Sequence, residues 1–197
     1  SLKMSSAGFT WGDSFMTGIF QVVSFISTTG FAISDNNTWP LFACFIMVLI
    51  SIPCGMAGST TGGVKSDRMF LIFKTIGQQI KNSMHPSSIN QVHVGNHIMG
   101  SNEIYPHFVY FGLYFITIAA SIVLTVLSGL DIQNAFASSV SFLSNVGPAL
   151  EAQGTLGNYN AAPVFAKVVF IIDMFMGRVE IYPILAVVMM VFTGKKK

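Results

Sequence analysis

The sequence predicts an all-α integral membrane protein, built from crossing helices, short half-helices that enter the membrane and turn back, and one broken crossing helix. Of its 197 residues, 52% are hydrophobic and only 9% are charged, whereas a soluble domain carries about 25% charged residues. Apolar runs of crossing length occur beside apolar runs too short to cross. The short runs end in small polar residues and a glycine instead of a charged loop.

Two segments are long enough to cross a bilayer, which takes about 20 apolar residues. The clearer is 108–127, and the other is 163–192. The second is interrupted by four residues, Asp173, Arg178, Glu180 and Pro183. A third apolar run, 39–56, leads through a glycine-rich stretch into a more polar helical stretch, 66–82. We interpret these last two as one crossing broken by a loop, which is tolerated where protein or a water-filled cavity surrounds the loop.

Two further apolar runs are too short to cross, Trp11–Ile26 and Ile132–Leu143. At about 1.5 Å per residue, each reaches only part of the way through a hydrocarbon layer of about 30 Å. Small polar residues and a glycine follow each run directly. Both are therefore predicted to be re-entrant half-helices.

These units repeat. Residues 23–30 match residues 140–147 at a constant offset of 117, with five of eight positions identical, which indicates internal duplication. The second unit has a crossing in front of it and the first does not, so we expect the chain to begin inside a repeat. The predicted organisation is a partial pore-loop repeat (1–82), a cytoplasmic connector (83–105) and a complete pore-loop repeat (106–197).

Basic residues predict the orientation, because Lys and Arg concentrate on the cytoplasmic side. They follow the broken crossing and the last crossing, at Lys65, Arg68, Lys74, Lys81 and Lys195 to Lys197. The ends of these two crossings, and with them the C-terminus, are therefore expected in the cytoplasm. The outer mouth would then hold the acidic residues Asp35, Asp131 and Glu151, which attract cations. A net charge of only +2, with no basic stripe, gives no indication of nucleic-acid binding.

The strand after each half-helix has the features of a cation site. A half-helix that points its C-terminus into the membrane presents the negative end of its dipole there. Carbonyl oxygens of the next strand can replace a cation's hydration shell if a glycine permits the backbone angles. The candidate residues are Ser27, Thr28, Thr29, Gly30 and Phe31, with Ser144, Asn145, Val146, Gly147 and Pro148. The alternative, a turn between apolar helices, fits one such strand alone, but the repetition favours the ion site.

Four motifs together resemble the Trk/Ktr/HKT potassium transporter superfamily, most of all the C-terminal half of its bacterial TrkH and TrkG members. They are residues 24–31, 58–65, 144–148 and 177–180, in matching order and spacing. The resemblance implies the pore-forming subunit of a Trk-type potassium uptake system, with four pore-loop repeats around one pore. This chain would supply the third repeat without its first helix and the whole fourth repeat.

The resemblance further implies potassium as the transported ion, with no organic cofactor. The ion would be held by backbone carbonyls of Thr28, Thr29, Asn145 and Val146, and the intact filter glycines favour K⁺ over Na⁺. Expected partners are the missing N-terminal half with two further repeats, a second copy in a homodimer, and a cytoplasmic nucleotide-binding subunit of the TrkA or KtrA kind. The expected location is the bacterial cytoplasmic membrane, and no enzyme activity is implied.

The glycine-rich segment has two interpretations. It comprises Gly58, Ser59, Thr60, Thr61, Gly62 and Gly63, with Lys65 close behind. A phosphate-binding loop requires glycine directly before the lysine, but Val64 intervenes, and the segment follows a membrane helix where the phosphate loop follows a buried strand. The resemblance instead implies an intramembrane loop that lies under the filter and obstructs the pore.

Arg178 is the most informative single charge. An arginine inside a crossing costs roughly 3 kcal/mol or more unless it faces a cavity or a partner. A structural pair with Glu180 or Asp173 is the alternative, although these are two and five positions away, not the helical neighbour spacing of three or four. The resemblance implies that Arg178 projects into the pore and gates it together with the glycine-rich loop.

Other features are weaker. His93 and His97, four residues apart, could share a helix face, but two histidines do not make a metal site. Two alternative functions remain at this point. One is a non-conducting structural membrane fragment, and the other is a nucleotide-dependent membrane enzyme that depends on the loop at 58–65.

Overall fold

The computed structural model describes residues 11–35, 39–84, 92–94, 97–147, 159–160 and 162–193. These residues form seven helices and four short strands. In chain order they are α1 (Trp11–Ile26), α2 (Leu41–Ser51), β1 (Pro53–Cys54), β2 (Val64–Lys65), α3 (Ser66–Met84), β3 (Val92–Val94), β4 (His97–Met99), α4 (Ser101–Leu127), α5 (Ile132–Leu143), α6 (Val164–Val179) and α7 (Ile181–Thr193). The fold is therefore helical, as predicted, with strands confined to two small pairs.

Among the described residues, α4 is the one unbroken helix that is long and apolar enough to cross a membrane. Its 27 residues correspond to about 40 Å. Only 28% of its apolar window is buried inside the protein, which suits a lipid-facing surface. The helix begins at Ser101, inside the range predicted as connector, because the polar residues before Pro106 continue the same helix.

The predicted crossing at 163–192 is two helices. α6 and α7 meet at an angle of 110°, with Glu180 between them. Glu180 has φ +69° and ψ 153°, and that conformation ends the helical hydrogen-bonding pattern. Charged residues near this point therefore mark a corner of the chain.

The two predicted half-helices have the predicted bounds, as α1 and α5. α5 lies inside the fold, where it packs against α4 and α6, and all but one of its residues from Ala135 to Leu143 are buried. α1 packs against α2 and leaves large apolar side chains such as Phe15 and Met16 exposed.

The broken crossing is confirmed. α2 ends at Ser51 and α3 begins at Ser66, and the chain between them forms a loop. β1 and β2 pair in parallel at the base of this loop, with Pro53 opposite Val64. The two strands fix the ends of the loop side by side.

A second strand pair lies in the link between the repeats. β3 and β4 are antiparallel, with His93 opposite Ile98 and Val94 opposite His97. The expectation that His93 and His97 share a helix face is wrong, because this stretch is a hairpin. Among the described residues, no three His, Cys, Asp or Glu side chains are grouped to hold a metal ion.

One hydrophobic core joins both repeats. Its buried members come from α1, α2, β2, α4, α5 and α7, and include Phe25, Met47, Val64, Tyr110, Tyr114, Val140, Leu143 and Ile181. A smaller cluster of Phe142, Ala166 and Phe170 packs with Leu130 and Tyr159. The burial of Tyr159 raises the pKa of its phenol, while a hydrogen bond with Ser138 acts in the opposite direction.

Candidate functional site

The two candidate filter strands begin with the same hydrogen-bonded turn. In the first, Thr28 N donates to Phe25 O (3.2 Å) and Thr29 N to Ser24 O (3.0 Å). In the second, the equivalent bonds are Asn145 N to Phe142 O (3.0 Å) and Val146 N to Ser141 O (3.0 Å). This is the Schellman pattern of a helix C-terminus. Every donor and acceptor is offset by 117 residues, so the sequence repeat is also a structural repeat.

The backbone angles repeat as well. Thr28 and Asn145 have φ +52° and +58°, and Gly30 and Gly147 have φ +77° and +93°. The two glycines therefore use the conformational freedom that was predicted for them. The positive φ at Thr28 and Asn145 was not predicted. Asparagine tolerates this region, but it is unusual for a β-branched threonine.

The second strand is held by a side chain of α4 and by the backbone of α6. The Tyr114 hydroxyl of α4 lies 2.9 Å from Ser144 Oγ, with both groups buried. From the strand, Asn145 Nδ2 donates to Met174 O of α6 (3.0 Å). A Cβ atom on Gly177 would lie 1.9 Å from Leu143 O, so α6 touches the end of α5 backbone to backbone. The sequence analysis did not identify Tyr114 or Met174, and it included Gly177 only in the motif 177–180, without a packing role.

The first strand is held by bonds within its own segment. Ser24 Oγ donates to Phe31 O (2.7 Å), and Ser27 Oγ lies 2.6 Å from Thr29 Oγ1. Phe31 is 67% exposed. Of the predicted filter residues, Pro148 lies outside the described residues, and the ion-binding roles of the others stay predictions.

The glycine-rich loop reaches the second filter strand. A Cβ atom on Gly62 would lie 2.6 Å from Ser144 O and 2.7 Å from Asn145 Cβ. Gly58 and Gly63 take φ +85° and +72°, which lets the chain turn at both sides of Ser59 to Gly62. The loop and the strand are therefore in contact, and a side chain at position 62 would separate them.

Arg178 binds this loop. Its guanidinium is exposed and Nη1 donates a hydrogen bond to Thr60 O. The alternative pairing with nearby acids is wrong. Glu180 pairs elsewhere, and Asp173 accepts a hydrogen bond from Ser121.

Glu180 joins the loop to the corner between α6 and α7. Its carboxylate lies 2.6 Å from Lys65 Nζ and 2.7 Å from Arg68 Nη2. The Arg68 guanidinium also lies over the Tyr110 ring, 3.9 Å from its centroid. Lys65 therefore has an acidic partner within the fold, unlike the lysine of a phosphate-binding loop, which contacts phosphates. Sequence reasoning used Lys65 and Arg68 for the orientation, and Lys65 also as part of the loop, but missed the pairing of both residues with Glu180. Isolated charges beside apolar helices were the available signal.

A family model described as TrkH, cation transport protein, matches residues 6–194. The chain belongs to this family. Escherichia coli K12 Trk system potassium uptake protein TrkH is 32% identical over 166 residues, covering 84% of this chain and 34% of that protein. E. coli TrkG is 30% identical over 174 residues, covering 87% of this chain and 35% of that protein.

The crystal structure of the potassium transporter TrkH from Vibrio parahaemolyticus has a similar fold. It superposes with a TM-score of 0.85 at 28% sequence identity, covering 93% of this chain and 39% of that one. The chain therefore has the fold of a TrkH-family membrane transporter and spans about a third of the length of the curated relatives. The family resemblance and the helical membrane fold predicted from sequence are both confirmed.

Proposed function

We propose that this chain supplies two of the four filter strands in the pore of a potassium uptake subunit. The relatives named above are potassium uptake proteins. The observation that carries the proposal is the pair of half-helices ending in turns with the same hydrogen bonds and the same positive φ positions. A pore formed by symmetric strands needs such repetition, whereas an unspecialised turn does not.

The transported cation in this proposal is K⁺, and its transport uses no organic cofactor. Backbone oxygens of Thr28, Thr29, Asn145 and Val146 would replace its water shell. The two half-helix C-termini would add a favourable dipole potential. Passage of an ion through such a pore involves no chemical reaction, so the proposal assigns this chain no enzymatic role.

The gate in this proposal is the loop from Gly58 to Gly63 with Arg178. The loop contacts the second filter strand at Gly62, and Arg178 is bound to Thr60. A positive charge beside the ion path raises the energy of a passing cation. Lys65 assists by anchoring the end of the loop to Glu180.

The working assembly needs more than this chain. We infer that the remaining two filter strands come from an N-terminal part with two further repeats, and that residues 1–82, 83–105 and 106–197 act as partial repeat, connector and complete repeat. A homodimer and a cytoplasmic nucleotide-binding subunit complete the system. It would lie in the bacterial cytoplasmic membrane with the C-terminus inside, as the basic residues favour.

A chimera tests the transport proposal. This chain is joined to the part of E. coli TrkH that precedes the matched stretch, reconstituted in liposomes, and assayed for ⁸⁶Rb⁺ uptake driven by a potassium gradient. The expected result is measurable uptake by the parent chimera. The double variant Gly30→Ser with Gly147→Ser should change the preference of this uptake for K⁺ over Na⁺. A monodisperse, correctly inserted chimera without flux would favour the non-conducting fragment instead.

The gate has its own test in the same chimera. Arg178→Ala removes the charge and the bond to Thr60, so basal ⁸⁶Rb⁺ uptake should rise several-fold, on the scale of about 1 kcal/mol for one solvent-exposed hydrogen bond. Lys81→Ala, which removes an exposed charge on α3, is the control and should leave uptake unchanged. Equal uptake by the Arg178→Ala variant and the parent chimera would remove Arg178 from the gate.

A further inference from the structure

Asp173 is a buried acid in a membrane helix that the ion path proposed above does not use. It lies within α6 and is 3% exposed. The ion pairs of Glu180 with Lys65 and Arg68 do not involve Asp173. An acidic side chain is expensive at such a position unless it faces a cavity or has polar partners. Its partners should therefore indicate its role.

The partners of Asp173 connect three helices. The Ser121 hydroxyl of α4 donates to Asp173 Oδ2, and Ser121 Oγ lies 3.0 Å from Ser139 Oγ of the half-helix α5. Ser121 and Ser139 are 3% and 0% exposed. This polar chain is thus shielded from solvent. A hydrogen bond that is left unmade is costly in such a buried place. It fixes the half-helix α5 against α4 and α6.

The same turn of α6 also contacts the filter strand. One residue after Asp173, Met174 O accepts from Asn145 Nδ2 (3.0 Å). Four residues after it, Gly177 packs against Leu143 O. A displacement of α5 at Ser139 would therefore be passed to the strand that starts five residues later at Ser144.

The half-helix position of Ser139 differs between the repeats. At the offset of 117 that relates the two half-helices and their turns, Ser139 corresponds to Val22. Val22 is partly buried in the core and has no hydroxyl. The turn forms in both repeats, so the Ser139 hydroxyl is not required by the turn itself.

We propose that Asp173 is a positioning residue for the second filter strand, acting through Ser121 and Ser139. The acceptor oxygen, not the negative charge, performs this role. The expected effect of Asp173 on ion selectivity rests on the proposed transport function. Its effect on the position of the strand is independent of transport and can be measured separately.

The positional test uses thiol labelling of the chimera described above. Val146→Cys, at a position that is 3% exposed, is introduced together with Cys44→Ala and Cys54→Ala, and labelled with a maleimide. Asp173→Leu and Ser139→Ala should each raise the labelling rate about tenfold, the scale of one lost buried hydrogen bond. Asp173→Asn keeps an acceptor oxygen and should label at close to the parent rate. Ile172→Val, on the exposed side of α6, is the matched control.

The selectivity test measures ⁸⁶Rb⁺ against ²²Na⁺ uptake with the same variants. Asp173→Leu and Ser139→Ala should lower the Rb⁺ to Na⁺ ratio about tenfold while Asp173→Asn retains it.

Monodisperse Asp173→Leu and Ser139→Ala with parent labelling rates would overturn the proposal. So would an Asp173→Asn variant that labels as fast as Asp173→Leu, since the charge would then be the active feature. If Asp173→Leu fails to fold, the labelling rate and the uptake ratio of Ser139→Ala decide whether the proposal stands. A parent chimera without flux would refute the transport function but leave the labelling result valid.

Discussion

The two half-helices differ in their surroundings although their turns are alike. α5 is enclosed by α4 and α6, and its filter strand receives side-chain or backbone support from Tyr114, Met174 and Gly177. α1 exposes one broad face of apolar side chains, including Val23 and Ile26. Its strand is tied by Ser24 and Ser27 of the same segment.

This difference separates what local sequence encodes from what packing supplies. Both segments form the same Schellman turn with one positive φ residue followed by a glycine, so local sequence is sufficient for the turn. Rigid support comes from neighbouring helices, and only the second strand has it among the described residues. Changes to supporting residues should therefore affect the second strand more than the first.

The largest effect is expected from Gly177→Ala. The new methyl would lie 1.9 Å from Leu143 O, and a backbone oxygen cannot move away as a side chain can. We expect a loss of about 3 kcal/mol in the free energy of unfolding, at the upper end of overpacking costs, seen as a lower apparent melting temperature in detergent. Gly112→Ala has nothing within 4 Å of the added methyl and should gain up to about 1 kcal/mol from helix propensity. A loss of similar size in both would contradict the close approach of α6 to α5.

An intermediate effect is expected from exchanging the residues with positive φ. Asn145→Thr places a β-branched side chain at φ +58° and removes the bond to Met174 O, for a loss of about 2 kcal/mol. Thr28→Asn should be stabilising by a few tenths to about 1 kcal/mol, because asparagine tolerates this region better. Melting of the two variants in parallel gives the comparison. Destabilisation by Thr28→Asn would show that the threonine side chain has a role beyond its backbone conformation.

The smallest effect is expected from single hydroxyl deletions. Tyr114→Phe leaves buried Ser144 without its tyrosine partner, which should cost about 1 kcal/mol. Ser24→Ala, which removes the bond to Phe31 O in the first strand, should cost less because exposed Phe31 can bring its carbonyl to water. Chemical denaturation of the two variants would test the ranking. An equal or larger loss for Ser24→Ala would mean that the first strand is also rigidly held.

Periodicity and run length predicted the elements well. Both half-helices, the broken crossing and α4 were anticipated, because apolar length and glycine punctuation are local signals. The corner at Glu180 was not, because the run 163–192 has crossing length and its interruptions, Glu180 among them, do not show by themselves where the helix bends. Gly30, Gly147 and the loop glycines were identified as permissive positions. The contacts of Tyr114, Arg68 and Gly177 and the Ser121 to Asp173 bond were missed, because their partners are distant in sequence and only packing brings them together.

The corner at Glu180 also has a mechanical consequence. α7 has 13 residues and is therefore about 20 Å long, and it leaves the corner at 110° to α6. A rotation of only about 10° at Glu180 would sweep its far end through about 3 Å over that length. Because the Glu180 carboxylate is bound to both Lys65 and Arg68, a change of this angle would have to rearrange these two ion pairs at the base of the glycine-rich loop. The ion pairs of Glu180 therefore restrain the angle between α6 and α7 together with the position of the loop.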